Sequence, residues 1–303
     1  MARCASLSAA AGTSTSAAAG TSTSAAAGTS TSASAASAPE PVELHYTPTP
    51  NGWKVTLLLE EADIPYTVHP IDLERGDQHT DEFRRLSPNG RMPVLVDPNA
   101  GGLAIFESGA IMLHLAERYP SARHLLGPPD DEAARSRVVQ WLFWVNAGLG
   151  PMAGQASHFT YYAPRLDTAA DHSYARRRYK DEFARLVGVM QRQLSATRFL
   201  AGEALSIADL AAWPWVKPWR RWMGCTLAEG GYPCVQRWYD AIKARPATMR
   251  GLAVLREQAI AGQRSREMGG ISAEGIDKLF CQTQKREGAG ATTAAPGAPA
   301  SKL

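Results

Sequence analysis

Three short stretches of this chain combine residue types that can hold a small charged ligand. The first is Thr49-Pro50-Asn51-Gly52, where a hydroxyl, an amide and the start of a helix would converge. That combination attracts anions, because free N–H groups and the positive end of the helix dipole point the same way. The same four residues also read as a plain helix N-cap. The second is Arg91-Met92-Pro93-Val94, with a proline at the start of a strand. A cis Met92–Pro93 bond would turn the Met92 N–H and C=O outward, to pair with an extended peptide as a missing strand would. The third is Glu107-Ser108 at the start of a later helix. Ser108 and the free N–H groups suit a carboxylate, and Glu107 suits an ammonium. Together they fit the amino-acid end of a ligand, although any serine cap would look similar.

The elements that must position these groups alternate at first between strand and helix. Val42 to His45 reads as a strand. Trp53 to Ala62 reads as a helix, with Val55, Leu57, Leu58 and Leu59 as a broad apolar stripe. Tyr66 to Ile71 alternates as a strand, and Asp81 to Leu86 is a short helix ended by Ser87-Pro88-Asn89-Gly90. Strands Val94 to Asp97 and Leu103 to Phe106 flank the turn Pro98 to Gly102. Ser108 then caps a helix carrying Ile111, Met112, Leu115 and Tyr119. A βαβ unit followed by a hairpin predicts a mixed four-stranded sheet with helices packed on it.

After Gly127-Pro128-Pro129 the strand signals stop. Helices fit Asp131 to Leu149, Tyr174 to Leu194, Ile207 to Val216, Val235 to Ala244 and Met249 to Ile260. Ser206-Ile207-Ala208-Asp209 has the form of a helix N-cap. Tryptophans 141, 144, 213, 215, 219, 222 and 238 crowd into this half and read as core. The chain therefore divides into an extension over 1–39, a mixed α/β domain over 40–126, an all-helical domain over 130–262 and a flexible tail over 263–303.

Composition bounds the partners. A formal net charge of +3 over 303 residues gives no reason to expect nucleic acid. No apolar run approaches the roughly 20 residues that span a bilayer, so no membrane partner is expected. Cys4, Cys225, Cys234 and Cys281 show no CxxC spacing, which argues against a disulfide framework or a zinc site and for a reducing compartment. Cys225 and Cys234 read as ordinary thiols, with a bridge between them as the other reading.

The repeat AAAGTSTS occurs three times between Ala9 and Ser32. It buries too little apolar surface to offset its chain entropy, so it is expected to be disordered, either as a low-complexity extension or as an organellar transit segment. Ser301-Lys302-Leu303 has the form of a peroxisomal address. The expected location is the peroxisome in a eukaryote, with the cytoplasm or another organelle as alternatives.

In this order and on this pattern, Tyr46 to Asp97 with Phe106-Glu107-Ser108-Gly109-Ala110-Ile111 resembles the N-terminal domain of the glutathione transferase superfamily. The stretches Thr47-Pro48-Thr49-Pro50-Asn51-Gly52, Gln140-Trp141-Leu142-Phe143-Trp144, Gly148-Leu149-Gly150-Pro151-Met152 and Gly154-Gln155 narrow the resemblance to the Nu-class and yeast-prion-like (nitrogen-regulator-like) branch. It runs from about Glu43 to Leu255 and departs in a short insertion between Pro164 and Tyr174. It implies a thioredoxin-like fold with Pro93 cis, an all-α second domain, a glutathione site at their boundary and a homodimer; from the cysteine spacing, no metal is expected.

Carried over by position, the resemblance implies that Glu107 and Ser108 hold the γ-glutamyl end and that Met92, beside Pro93, pairs with the cysteinyl backbone. It puts Gln78 near the glycyl end, and Thr49 and Asn51 beside the sulfur as the catalytic pair. Arg178 would reach the site from the second domain; equally, it reads as one of a solvated run, Arg176-Arg177-Arg178. No cysteine follows the first strand, which disfavours a protein thiol intermediate. The implied activity is glutathione-dependent reduction of a small disulfide. The alternatives are conjugation of electrophiles, with glutathione peroxidase as a side activity, or a non-catalytic regulatory module.

Overall fold

Val42, Leu44 and Tyr46 are fully buried and alternate with half-exposed Glu43 and His45, which makes β1 (Val42–Tyr46) an interior strand. The computed structural model describes residues 39–257 together with Gly275 and Lys278. The N-terminal repeat, Ser301-Lys302-Leu303 and the tail other than those two residues lie outside the described residues, as do Gln258 to Ile260 of the last predicted helix.

β1 pairs in parallel with β2 (Tyr66–Pro70) and antiparallel with β3 (Val94–Asp97), which pairs antiparallel with β4 (Leu103–Phe106). The order β2-β1-β3-β4 is the mixed four-stranded sheet that the sequence predicts. Helices α1 (Pro50–Glu61), α2 (Asp81–Leu86) and α3 (Ser108–Arg118) complete this half.

The second half is helical: α4 (Glu132–Trp144), α5 (Gly150–Ser157), α6 (Ala163–Leu166), α7 (Ser173–Ala196), α8 (Ile207–Val216), α9 (Trp219–Met223), α10 (Pro233–Lys243) and α11 (Pro246–Ala253). The predicted helix Asp131 to Leu149 differs: it widens into a π turn at Val145–Leu149 and runs on as α5. Gly150 N–H reaches back to Val145 O, and the wider turn leaves room for Pro151, whose ring would otherwise strike the preceding turn. No helix among the described residues is long and apolar enough to cross a membrane.

One apolar core joins the halves. Leu57, Leu58 and Leu59 of α1 share it with Ile111 and Leu115 of α3 and with Leu210 and Trp213 of α8. Of the crowded tryptophans, Trp213, Trp219, Trp222 and Trp238 are buried in it, while Trp141, Trp144 and Trp215 are half-buried against it. Asp209 lies fully buried at the first turn of α8. Its carboxylate accepts from Ser206 N–H (3.0 Å), Ser206 Oγ (2.7 Å), Leu200 N–H (2.9 Å) and Trp238 Nε1 (2.9 Å). It thus caps the helix and ties it to α10.

On the other side of β1 the His45 ring stacks on His69 at 4.7 Å. Burial and then the neighbouring His69 hold the His45 imidazole below its usual value, against smaller opposing pulls from Glu43 and Glu82. The unfolded chain therefore binds this proton first, near pH 6.5. Stability is expected to fall as pH drops below about 6.5. Urea unfolding at pH 7.5 and 5.5 measures it, and His45→Gln should flatten the difference.

Candidate functional site

Strand register brings the three predicted stretches to one end of the sheet. His45 pairs with Val94, and Val94 pairs with Phe106. The end of β1, the start of β3 and the end of β4 are therefore side by side. Tyr46, Pro93 and Glu107, the next residue on each strand, flank the same edge. β1 leads into α1 and β4 leads into α3, so two helix N-termini open at this edge.

Thr49 is the N-cap of α1: its backbone is extended and its Oγ1 accepts from Gly52 N–H at 3.2 Å. The helix starts three residues before the predicted Trp53, so Pro50, Asn51 and Gly52 form its first turn. Gly52 is required by packing. A Cβ there would lie 2.5 Å from Thr47 O and 2.6 Å from the Tyr46 ring. Without that close approach α1 could not start directly over the end of β1.

The Met92–Pro93 bond is cis. The Thr49 hydroxyl donates to Met92 Sδ at 3.9 Å, which joins the first and second stretches. A thioether is a weak acceptor, so this donor is available to a better one. Asn51 is half-buried beside them.

Ser108 does not cap α3. It is the first helical residue, and Glu107 occupies the cap position with φ 69° and no side-chain cap bond. A left-handed backbone at a non-glycine residue is uncommon and strained, and such residues cluster at ligand sites. Glu107 is exposed, with Asn89 Nδ2 3.5 Å from its carboxylate. Ser108 is buried, and its Oγ instead accepts from Lys54 Nζ at 3.2 Å. Lys54 Nζ also donates to Asn146 Oδ1 at 2.6 Å. The sequence reading missed both residues. The signal for Lys54 was present: it lies three and four residues before Leu57 and Leu58, on the apolar stripe of α1, where a lysine needs a reason. Asn146 lies in the π turn, for which the sequence carries no comparable signal.

Gln78 is buried, and Gly90 approaches it closely enough that a Cβ there would lie 3.2 Å from Gln78 O. Gln78 Nε2 donates to the main-chain carbonyl of Lys278 at 3.3 Å, and the side-chain Oε1 is buried without a partner among the described residues. Among the described residues, the hydrogen bonds of Gln78 and the ion pair of Arg178 go to groups other than the remaining predicted site residues; Arg178 stands in the second domain. Its side chain is 54% exposed and pairs with Glu182 one turn along α7. The cysteines among the described residues, Cys225 and Cys234, are free thiols and belong to the helical half, so the alternative bridge between them is not formed. No cluster of described residues has the makings of a metal site.

The open cleft lined by Glu60, Glu61, Arg245 and Arg250 is a different place, at the far end of α1, about 15 Å along the helix. Its arginines already pair with Glu61 and Glu60.

Comparison with known proteins gives a consistent pattern. Residues 49–118 match the family model for the glutathione S-transferase N-terminal domain, and residues 173–241 match that for its C-terminal domain. The chain is 44% identical over 221 residues to the disulfide-bond oxidoreductase YfcG of Escherichia coli, covering 72% of this chain and 96% of that protein. It is 32% identical over 238 residues to the transcriptional regulator URE2 of Saccharomyces cerevisiae, covering 67% and 65%. Among solved structures, a glutathione transferase from Pseudomonas putida with one glutathione disulfide bound per subunit superposes with a TM-score of 0.63 at 37% identity. That match covers 72% of this chain and 93% of the other.

Proposed function

Given that this chain belongs to the glutathione S-transferase superfamily, in its Ure2-like branch, we propose that it reduces small disulfides with glutathione and that the sulfur of bound glutathione is the nucleophile. The observation that carries this reading is the Thr49 hydroxyl at the N-terminus of α1, set against a sulfur atom of weak accepting power. A thiolate placed there would take that hydrogen bond, and the helix end would add favourable charge. Asn51, two residues into the helix, supplies a second donor.

The remaining roles are those that the family resemblance implies, and the chemistry of each group is compatible with them. Glu107 receives the γ-glutamyl ammonium, and Ser108 with the free N–H groups of α3 receives its carboxylate. Met92, beside cis Pro93, pairs through its main chain with the cysteinyl backbone. Gln78 meets the glycyl carboxylate with an amide that already donates to a carbonyl oxygen. Arg178 would join only after leaving Glu182.

The reaction is two thiol–disulfide exchanges. The first glutathione thiolate attacks one sulfur of the substrate disulfide, forming a mixed disulfide and expelling one thiolate. The second glutathione thiolate attacks the glutathione sulfur of that mixed disulfide and expels the other. Glutathione disulfide leaves, and the protons of the two glutathione thiols end on the two product thiols. The disulfide-bond oxidoreductase of E. coli and the glutathione disulfide bound to the P. putida relative support this reading. Purified protein assayed with glutathione and hydroxyethyl disulfide should turn over well above background. Turnover of a halogenated aromatic instead would favour the conjugating alternative. URE2 supports a regulatory module; if that were the role, deletion of 1–39 would change function while leaving glutathione binding intact.

The chain is further proposed to act as a homodimer. Leu103 and Phe106 on edge strand β4 and Phe143 on α4 are exposed, the last by 63%, and a second copy would cover them. Phe143→Glu should convert a dimer to a monomer by light scattering at micromolar concentration. A peroxisomal location is tested by fusing the tail to a fluorescent protein with and without Ser301-Lys302-Leu303; diffuse signal from both would end that idea.

A further inference from the structure

Lys54 is 1% exposed, yet it touches three elements at once. It stands on α1, its ammonium donates to Ser108 Oγ on α3, and it donates to Asn146 Oδ1 in the π turn after α4. Asn146 is itself held, since its Nδ2 donates to Leu142 O at 3.1 Å. α3 comes this close only because residue 109 is glycine, as a Cβ there would collide with the Asn146 amide. The brace is thus built from both halves of the molecule.

Its chemical effect falls on Ser108. A hydroxyl whose oxygen accepts from an ammonium must point its own proton elsewhere. The proton of Ser108 is thereby freed for a ligand at the N-terminus of α3, and the buried Lys54 head group lies directly behind it. Burial pulls the Lys54 ammonium down to about 7, with Glu107 as the opposing influence, so a ligand anion at Ser108 would help keep it charged.

We propose that Lys54 is a positioning residue for the γ-glutamyl carboxylate of glutathione, orienting Ser108 and lending charge through it, with Asn146 fixing it from the helical half. This rests on the reading that Ser108 receives that carboxylate.

The test is titration calorimetry of the full chain with S-methylglutathione and with the analogue whose γ-glutamyl group is replaced by 4-aminobutyryl, which lacks only that carboxylate. The wild type should bind the analogue about 30- to 100-fold more weakly, the range of a charge-assisted contact. In Lys54→Met that penalty should shrink to about 3-fold, because Ser108 loses the group that orients it and the charge lent through it. A penalty in Lys54→Met as large as in the wild type, while Ser108→Ala reduces it, overturns the role of Lys54 and leaves the Ser108 reading standing. Equal binding of both ligands by the wild type overturns the Ser108 reading and the inference with it. Should Lys54→Met fail to fold, Asn146→Ala decides: a reduced penalty supports the brace, and an unchanged one overturns it.

Discussion

Asp209→Ala is expected to lower the stability of the protein by about 3–5 kcal/mol, because several buried donors lose their shared acceptor and each unsatisfied one costs about 1–3 kcal/mol. The four donors that converge on this carboxylate come from residues 200, 206 and 238. None can find water in its place, because Asp209 is fully buried and Ser206 and Trp238 are nearly so. The loss therefore exceeds that of an exposed N-cap, which is about 1 kcal/mol. Trp238→Phe removes one donor and leaves the carboxylate three, so it should cost about 1 kcal/mol. Urea unfolding followed by tryptophan fluorescence measures both. Equal losses for the two variants would mean that packing of Trp238, not the carboxylate, holds α8 to α10.

Thr49→Val should lower kcat/KM for hydroxyethyl disulfide reduction by about 10- to 150-fold, which corresponds to losing one hydrogen bond to an ionised sulfur. The substitution keeps the shape and removes the hydroxyl. It also removes the acceptor for Gly52 N–H, so a stability loss of about 1 kcal/mol accompanies it. The signature that separates the two effects is the pH–rate profile. A thiolate that loses its donor ionises at higher pH, so the rising limb should move up by about 1–2 pH units. Thr49→Ser should restore most of the rate and return the limb. If Thr49→Val leaves the limb in place, the hydroxyl acts on the helix and not on the sulfur.

Most of the sheet was legible because its signals are local. β3 and β4 have the bounds that alternation and the intervening Pro98 to Gly102 turn predict, and β1 and β2 differ by one residue. The helix starts were less legible, for a common reason. α1, α10 and α11 each begin at a proline, Pro50, Pro233 and Pro246, whereas the apolar pattern alone starts them two or three residues later. Proline is favoured at the first helical position, since its missing N–H would be unpaired there anyway. The short helix Trp219–Met223 went unread because five residues carry too little periodicity.

The candidate site was legible in its parts and not in its bracing. Thr49, Met92, Pro93, Glu107 and Ser108 meet because strand register forces them to, and the residue order already contains that register. A serine before an apolar run reads as a cap, but at Ser108 Lys54 claims the hydroxyl and Glu107 takes the strained cap position. That outcome depends on a lysine 54 residues away and an asparagine in a widened turn, which no local pattern encodes.

The central claim is that the attacking sulfur belongs to glutathione and not to the protein. The most direct measurement is steady-state reduction of hydroxyethyl disulfide by a variant in which Cys4, Cys225, Cys234 and Cys281 are all serine. Turnover equal to that of the wild type is the predicted result. Loss of turnover in a variant that remains folded and binds S-methylglutathione normally would contradict it.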